Sequence, residues 1–406
     1  MTGQLRLRLA PFVQRLAAPA ALLLLMAAAL APQRAQATHA MGGELTYECI
    51  GNDLYLVTLN FYRDCNGVAA PTNGNNGLDF RIRSQACNAN FTQNFTFSSV
   101  QIITPICSFE TDRCTSTNGQ YGVERYTYTS TVNLSAFANC NDWIISWDLC
   151  CRNNAITSLN QPGGQELYLE ARLDNTVNPC NTSPEFLTMP TPFYCVNQPL
   201  SYNPGAVDAD GDSLAFQLVN AKGVNGGNLA YNPGYSFTQP IRNGGGAGAV
   251  VLNPQTGTLT CIPNQLQVSV VTYRVNEYRN GVLIGSITRD IQFVIRSCTG
   301  QPPTASGVNG GGNYSVEVCA GTPVSFTITS SDPNGDNTFL TWNSGIPGAT
   351  FTATGAPFQT GTFNWTPTNA NIGQNFFTVT VQDNGCPLVG TNDYGFTVIV
   401  LSLIHI

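Results

Sequence analysis

The chain has 406 residues, more than one hydrophobic core usually serves, so two or three domains are expected. Only 10% of residues are charged and 42% are hydrophobic, with 39 Gly and 24 Pro: too apolar for a disordered chain, too poor in helix-favouring charge for a helical bundle. A net charge of −7 argues against nucleic acid or an anionic membrane surface as partner.

In chain order, Arg6, Arg8 and Arg15 form a basic start, Leu16 to Ala31 an apolar run, and Ala35-Gln-Ala37 a small-residue cleavage site. This predicts a cleaved signal peptide over 1–37 and a mature chain from Thr38. The run contains Pro19 and falls short of the ~20 residues a membrane span needs. No later stretch is long and apolar enough, so no transmembrane segment is expected in the mature chain. The expected location is extracellular or on the outer cell surface.

Residues 38–176 read as a Cys-rich β domain. Tyr55 to Phe61 alternates and runs into the turn signal Asp64-Cys-Asn-Gly67; Tyr121 to Leu134, Asp142 to Leu149 and Glu166 to Leu173 read as further strands. Trp143 and Trp147, four apart in one strand, should share a face and fill a core rather than stack on sugars. Asn178 to Pro192, rich in Pro and Thr, reads as a linker. A second unit, 177–298, ends in strands Val271 to Glu277 and Ile291 to Ile295, with Val271, Tyr273, Val275 and Ile291, Phe293, Ile295 on single faces. Gln301 to Gly307 is the next linker. In a third unit, 304–400, alternation is cleanest: Val324, Phe326, Ile328; Phe377, Val379, Val381; Phe396, Val398, Val400. The last six residues, 401–406, end the chain in an uncapped apolar tail that resembles a translated sequencing adaptor, so a truncated reading frame is suspected and His405 is given no role.

The second and third units are copies. Cys195 to Phe216, CVNQPLSYNPGAVDADGDSLAF, recurs as Cys319 to Leu340, CAGTPVSFTITSSDPNGDNTFL, with an offset of 124 at Cys195/Cys319, Asp208/Asp332 and Asp212/Asp336. Later the offset is 104, from Val275/Val379 to Gly281/Gly385. The first copy thus carries about 20 extra residues, assigned to the Gly/Asn-rich loop between Gly223 and Gly248. That loop is expected at the surface, with Tyr231, Tyr235 and Phe237 as its anchors if it binds. The fold class predicted is all-β: a Cys-rich N-terminal β domain followed by two tandem immunoglobulin-like or cadherin-like β-sandwiches.

Fourteen cysteines in an exported chain read as disulfides. Eight lie between Cys49 and Cys151, four are Cys180, Cys195, Cys261 and Cys298, and two are Cys319 and Cys386. Each group is even, so each domain is expected to close its own set. Cys150 and Cys151 should point to opposite faces of a strand and find different partners. Zinc is disfavoured by the absence of any CxxC pair and by only two histidines.

The sharpest local chemistry is Asp208-Ala-Asp210-Gly-Asp212 and Asp332-Pro-Asn334-Gly-Asp336. Carboxylates and an amide carbonyl on a tight Gly turn supply the hard oxygens that Ca²⁺ prefers, so Asp208, Asp210, Asp212, Asp332, Asn334 and Asp336 are the candidate calcium ligands. The bland alternative is a turn whose Asp side chains bond nearby amides. The EF-hand pattern is incomplete in both copies, and the second has one carboxylate fewer. Asp212-Ser213-Leu214 also resembles a short O-glycosylation acceptor. Hydrolytic chemistry has little support: a triad needs a base, and His39 stands at the mature N-terminus. No phosphate-cradling GxxxxGK[ST] occurs.

The opening THAMGGELTYEC with FYRDCNG resembles the start of large secreted Bacteroidetes proteins of the gliding-motility-associated or type IX secretion cargo kind. DADGDSL and TGTLTCIP resemble the cadherin-like or immunoglobulin-like repeats that follow in them. The resemblance implies export beyond the outer membrane, although the C-terminal sorting region of that family is not seen here. The function expected is non-catalytic: a structural or adhesin-like surface protein whose partners are glycans or proteins of cells or the environment. The alternatives are accessory modules of an extracellular hydrolase, or a carbohydrate-binding protein.

Overall fold

The computed structural model describes residues 39–72, 78–137, 139–190 and 193–402; the predicted signal peptide and residues 403–406 lie outside them. Among the described residues the protein is all-β, 50% strand and 4% helical. Among these residues, eight strands build the N-terminal region: β1 (Ala40–Gly51), β2 (Leu54–Asp64), β3 (Asp79–Ser84), β4 (Ala89–Asn94), β5 (Thr96–Ile102), β6 (Val123–Asn133), β7 (Trp143–Cys150) and β8 (Glu166–Leu173). The turn after β2 closes as expected, the Gly67 amide donating to the Asp64 carbonyl at 3.0 Å. Trp143 and Trp147 are buried in one core with Phe61, Tyr128 and Leu169, Phe61 meeting Trp147 edge-on at 5.7 Å.

Hydrogen bonding does not stop at the division expected at 176/177. The strand Val282–Arg296 pairs along one edge with Gln267–Arg279 and along the other with both β8 and β1, so a single sheet of twelve strands spans the two regions. Two adjacent residues of that strand explain the seam. Arg289 meets Glu44 of β1 at 2.5 Å, and Asp290 takes both forks of Arg152 at 2.9 and 2.8 Å. All four are nearly inaccessible to solvent. Tyr62 and Asn60 donate to Glu44, and Arg289 donates to the Thr188 carbonyl and to the Tyr202 hydroxyl, which keeps the buried charges hydrogen-bonded.

The passage from Asn178 onward is not a free linker. Cys180 bonds to Cys49, the Pro179 carbonyl accepts from the Tyr55 hydroxyl at 2.6 Å, Asn181 is fully buried, and Ser183 bonds Tyr47 through both its amide and its hydroxyl. The Gly-rich loop is docked rather than loose. Tyr231 packs against Ile156, Leu159 and Val270, and Tyr235 lies under Arg242, while Phe237 remains partly exposed.

The third unit has two four-stranded sheets. All nine alternating residues predicted as its core are buried in one cluster, through which Phe326, Phe363, Phe377 and Phe396 stack in series. The repeat is visible in register: Phe193–Cys195 pairs parallel with Val294–Arg296, and Ser315–Cys319 pairs parallel with Thr397–Leu401. Cys195 and Cys319 take the same place in these pairs, yet Cys195 bonds to Cys298 and Cys319 is free.

The disulfides overturn two expectations. The cysteine groups are not self-contained, because Cys49–Cys180 and Cys107–Cys386 cross the divisions, while Cys261 is buried and free. Even counts constrain nothing once distant strands are neighbours. Cys150 and Cys151 bond to each other, at the point where β7 ends and the alternation of faces no longer applies.

Candidate functional site

Both Asp/Gly turns form by the same local chemistry. Asp208 Oδ1 accepts the amides of Asp210 (3.0 Å) and Asp212 (2.8 Å), with Gly211 at φ +83°. Asp332 Oδ1 likewise accepts the amides of Asn334 (2.7 Å) and Asp336 (3.1 Å), with Gly335 at φ +83°. A residue with a Cβ is disfavoured at that φ, hence Gly in each. The Asp-to-amide bonds expected of an ordinary turn are therefore present in both copies.

What lies around the turns differs. In the first copy Glu277, fully buried on the Gln267–Arg279 strand, brings a carboxylate oxygen within 4.8 Å of oxygens of Asp208 and Asp212. Its Oε1 accepts from Asn181 Nδ2 at 2.7 Å, while its Oε2 and Asp208 Oδ2 are buried with no hydrogen-bond partner. Arg279 closes the outer side, holding Asp212 in a bidentate pair at 2.7 and 2.6 Å and reaching Asp210 at 3.4 Å. Burial, then the Asp208 charge, pushes the Glu277 carboxyl well up from its usual range; burial, with the charges of Asp212 and Asp210, moves Asp208 to about 6. Asp210 is turned away, accepting the Thr182 amide at 3.0 Å.

In the second copy Val381 stands where Glu277 is, and Asp383 where Arg279 is, by the 104-residue offset. Asp332 Oδ2 is again buried without a partner. Asp383 accepts the amides of Gly385 and Gly390, and is raised to about 6 by burial and then by the charges of Asp332 and Asp336. Asn334 Oδ1 is taken by the Gln301 amide at 2.7 Å. Among the described residues the only other convergence of three such ligand atoms is Cys65, Cys114 and Glu124. There the two sulfurs are joined in a disulfide and Glu124 pairs with Arg63, so no thiolate is available to a metal.

Of the six predicted ligands, then, the structure brings together Asp208 and Asp212 and adds Glu277, which the motif did not include. The signal was in the sequence: the inward alternation Val271, Tyr273, Val275 puts the next inward position on an acid. Ser213 of the glycosylation-like triplet is exposed, at the start of the strand Ser213–Leu218.

A second feature is a cavity of about 850 Å³ where the second and third units meet. Its walls include Gln198, Thr258, Thr260, Gln301, Tyr314 and Tyr394, and no charged side chain among the described residues. Gln198 Nε2 donates to the Gly300 carbonyl, while Gln198 Oε1 is a buried acceptor with no partner. Tyr314 and Tyr394 stack at 5.5 Å.

Residues 301–391 match the bacterial Ig domain family. That likeness, with the recurring strand register, supports tandem Ig-like repeats. No curated protein matches the chain. Among solved structures, an endo-fucoidan hydrolase from glycoside hydrolase family 107 aligns at 15% identity over 75% of this chain and 39% of its own, with a TM-score of 0.20. This chain thus spans well under half of that enzyme's length. The tandem Ig repeats of Dlar align at 12% identity over 54% of this chain and 98% of theirs, with a TM-score of 0.23. The titin domains z1z2 in complex with telethonin align at 10% identity over 55% and 98%, with a TM-score of 0.18. Likeness at this level transfers neither architecture nor activity.

Proposed function

We propose that this chain is a non-catalytic structural or adhesion-type module that works outside the cell. The observation that carries the reading is the covalent and hydrogen-bonded interlocking of its parts. Cys107–Cys386 ties the N-terminal region to the Ig-like unit, and one sheet joins that region to the first repeat. Six disulfides among the described residues suit an oxidising compartment, and no helix among them is long and apolar enough to cross a membrane. Such bracing supports a part that transmits force or presents a surface. The likeness of THAMGGELTYEC and FYRDCNG to gliding-motility-associated, type IX secreted proteins supports placing the chain among them.

A second reading, binding of a neutral glycan, is favoured by the uncharged cavity and the stacked Tyr314 and Tyr394 in its wall. Both are tested with residues 38–406 immobilised on beads, scored for adhesion to glycan-coated surfaces and to whole cells, alongside a reducing-sugar assay on soluble polysaccharides. Retention without sugar release supports adhesion, and retention lost in Tyr394→Ala supports the cavity. Turnover of any polysaccharide by this chain would overturn the reading.

A further inference from the structure

The turn at Asp208 presents an electrostatic problem that the protein's own side chains leave unsolved. Four carboxylates, those of Asp208, Asp210, Asp212 and Glu277, are answered by one guanidinium, and that guanidinium is engaged with Asp212 and Asp210 on the outer side. On the inner side, Glu277 Oε2 and Asp208 Oδ2 are buried and unpaired. A buried carboxylate oxygen with nothing to bond is costly, and its ordinary remedies are a proton or a cation. The space around Glu277 is kept open by Gly285, where a Cβ would come within 2.5 Å of Glu277 Oε2.

We infer that Asp208, Asp212 and Glu277 bind one divalent cation of the hard, oxygen-seeking class, calcium, at the seam between the first repeat and the N-terminal region. Three carboxylates from two different elements, none of them nitrogen or sulfur donors, match that class. The cation sits where it joins three parts of the chain: the turn, the Gln267–Arg279 strand, and the Cys180 to Ser183 passage, whose Asn181 orients Glu277 and whose Thr182 amide is held by Asp210. Partial desolvation and the competing Arg279 predict modest affinity, ~10⁻⁴–10⁻³ M as in extracellular modules. The second copy is not assigned a site, since it has Val381 in place of Glu277. The inference does not depend on whether the module adheres to anything.

The test uses the mature chain after treatment with chelator. Calcium is titrated while melting temperature is followed, and terbium is used as a luminescent substitute excited through tyrosine, Tyr47 lying beside Glu277. Expected are a calcium-dependent rise in melting temperature and terbium emission that calcium displaces. Both should be lost in Glu277→Gln and kept in Asp332→Asn. Glu277→Gln should fold, and without calcium should melt no lower than the wild type, because the amide removes the buried charge. A wild type indifferent to 10-fold excess over ~10⁻³ M calcium, or one whose response survives Glu277→Gln, overturns the assignment. So does a response abolished by Asp332→Asn alone. A melting temperature that rises only on acidification would assign the pair of orphan oxygens a proton and equally overturn it.

Discussion

Asp393 shows how a single residue couples this fold to pH. It is buried at the contact between the first repeat and the Ig-like unit, where Thr380 Oγ1 donates to it at 2.6 Å and the Asn203 amide at 3.4 Å. Burial raises its carboxyl to about 7 in spite of these donors and of Arg289. The folded state therefore holds a proton more tightly than the unfolded chain between about pH 4 and 7. Its contribution to stability is present below the unfolded value, declines as pH rises through that window, and is flat above it. Asp208 and Asp383, both at about 6, act in the same direction. We expect Asp393→Asn to reduce, without abolishing, the fall in urea midpoint between pH 4.5 and 7.5 measured with chelator present; an unchanged slope would show that Asp393 is ionised in the fold.

At the scale of the elements, the decisive contact is β1 against the Val282–Arg296 strand. Gly42 sits at φ +141° facing Ile291, and a Cβ there would lie 2.0 Å from the Asp290 carbonyl oxygen. Gly42→Ala should destabilise the protein by at least about 1–3 kcal/mol through backbone strain alone. Gly244→Ala, in the exposed loop with open space around it, should stay within about 0.5 kcal/mol. Chemical denaturation of the two variants side by side decides this. The strand also explains why period-2 reading saw only half of its role. Ile291, Phe293 and Ile295 line one core as predicted, but Thr288, Asp290 and Gln292 are buried on the other side as well, because both edges and both faces are covered.

For the whole molecule, Cys107–Cys386 is the longest-range constraint. Among the described residues it is the one disulfide across residues 299–303. A protease site inserted there should yield, after cleavage, a species that migrates as one on a non-reducing gel and as two after reduction. The Cys107→Ser/Cys386→Ser variant should separate without reductant and lose about 2–5 kcal/mol of stability. Separation of the wild type without reductant would disprove the pairing. Non-covalent contacts reinforce the same joint. Ser201 and Asn203 bond Asn392, Asp393 and Thr378, and the Pro105 carbonyl accepts the Val389 amide.

The sequence by itself determined what depends on neighbours along the chain. Period-2 alternation located three strands and the core of the Ig-like unit, Asp and Gly at fixed spacing specified both turns, and the repeated stretch marked the second and third units as copies. The partners of Cys49, Cys107 and Cys150, the continuation of one sheet across 176/177, and the meeting of Glu44 with Arg289 were decided only by the tertiary structure. Each joins residues whose separation carries no local pattern, and loop closure permits many pairings of similar entropy. Glu277 lies between the two cases. Its inward position was legible from alternation, but a buried acid has meaning only through what it faces, and Asp208 is brought opposite it by strand pairing between Ser213–Leu218 and Gln267–Arg279.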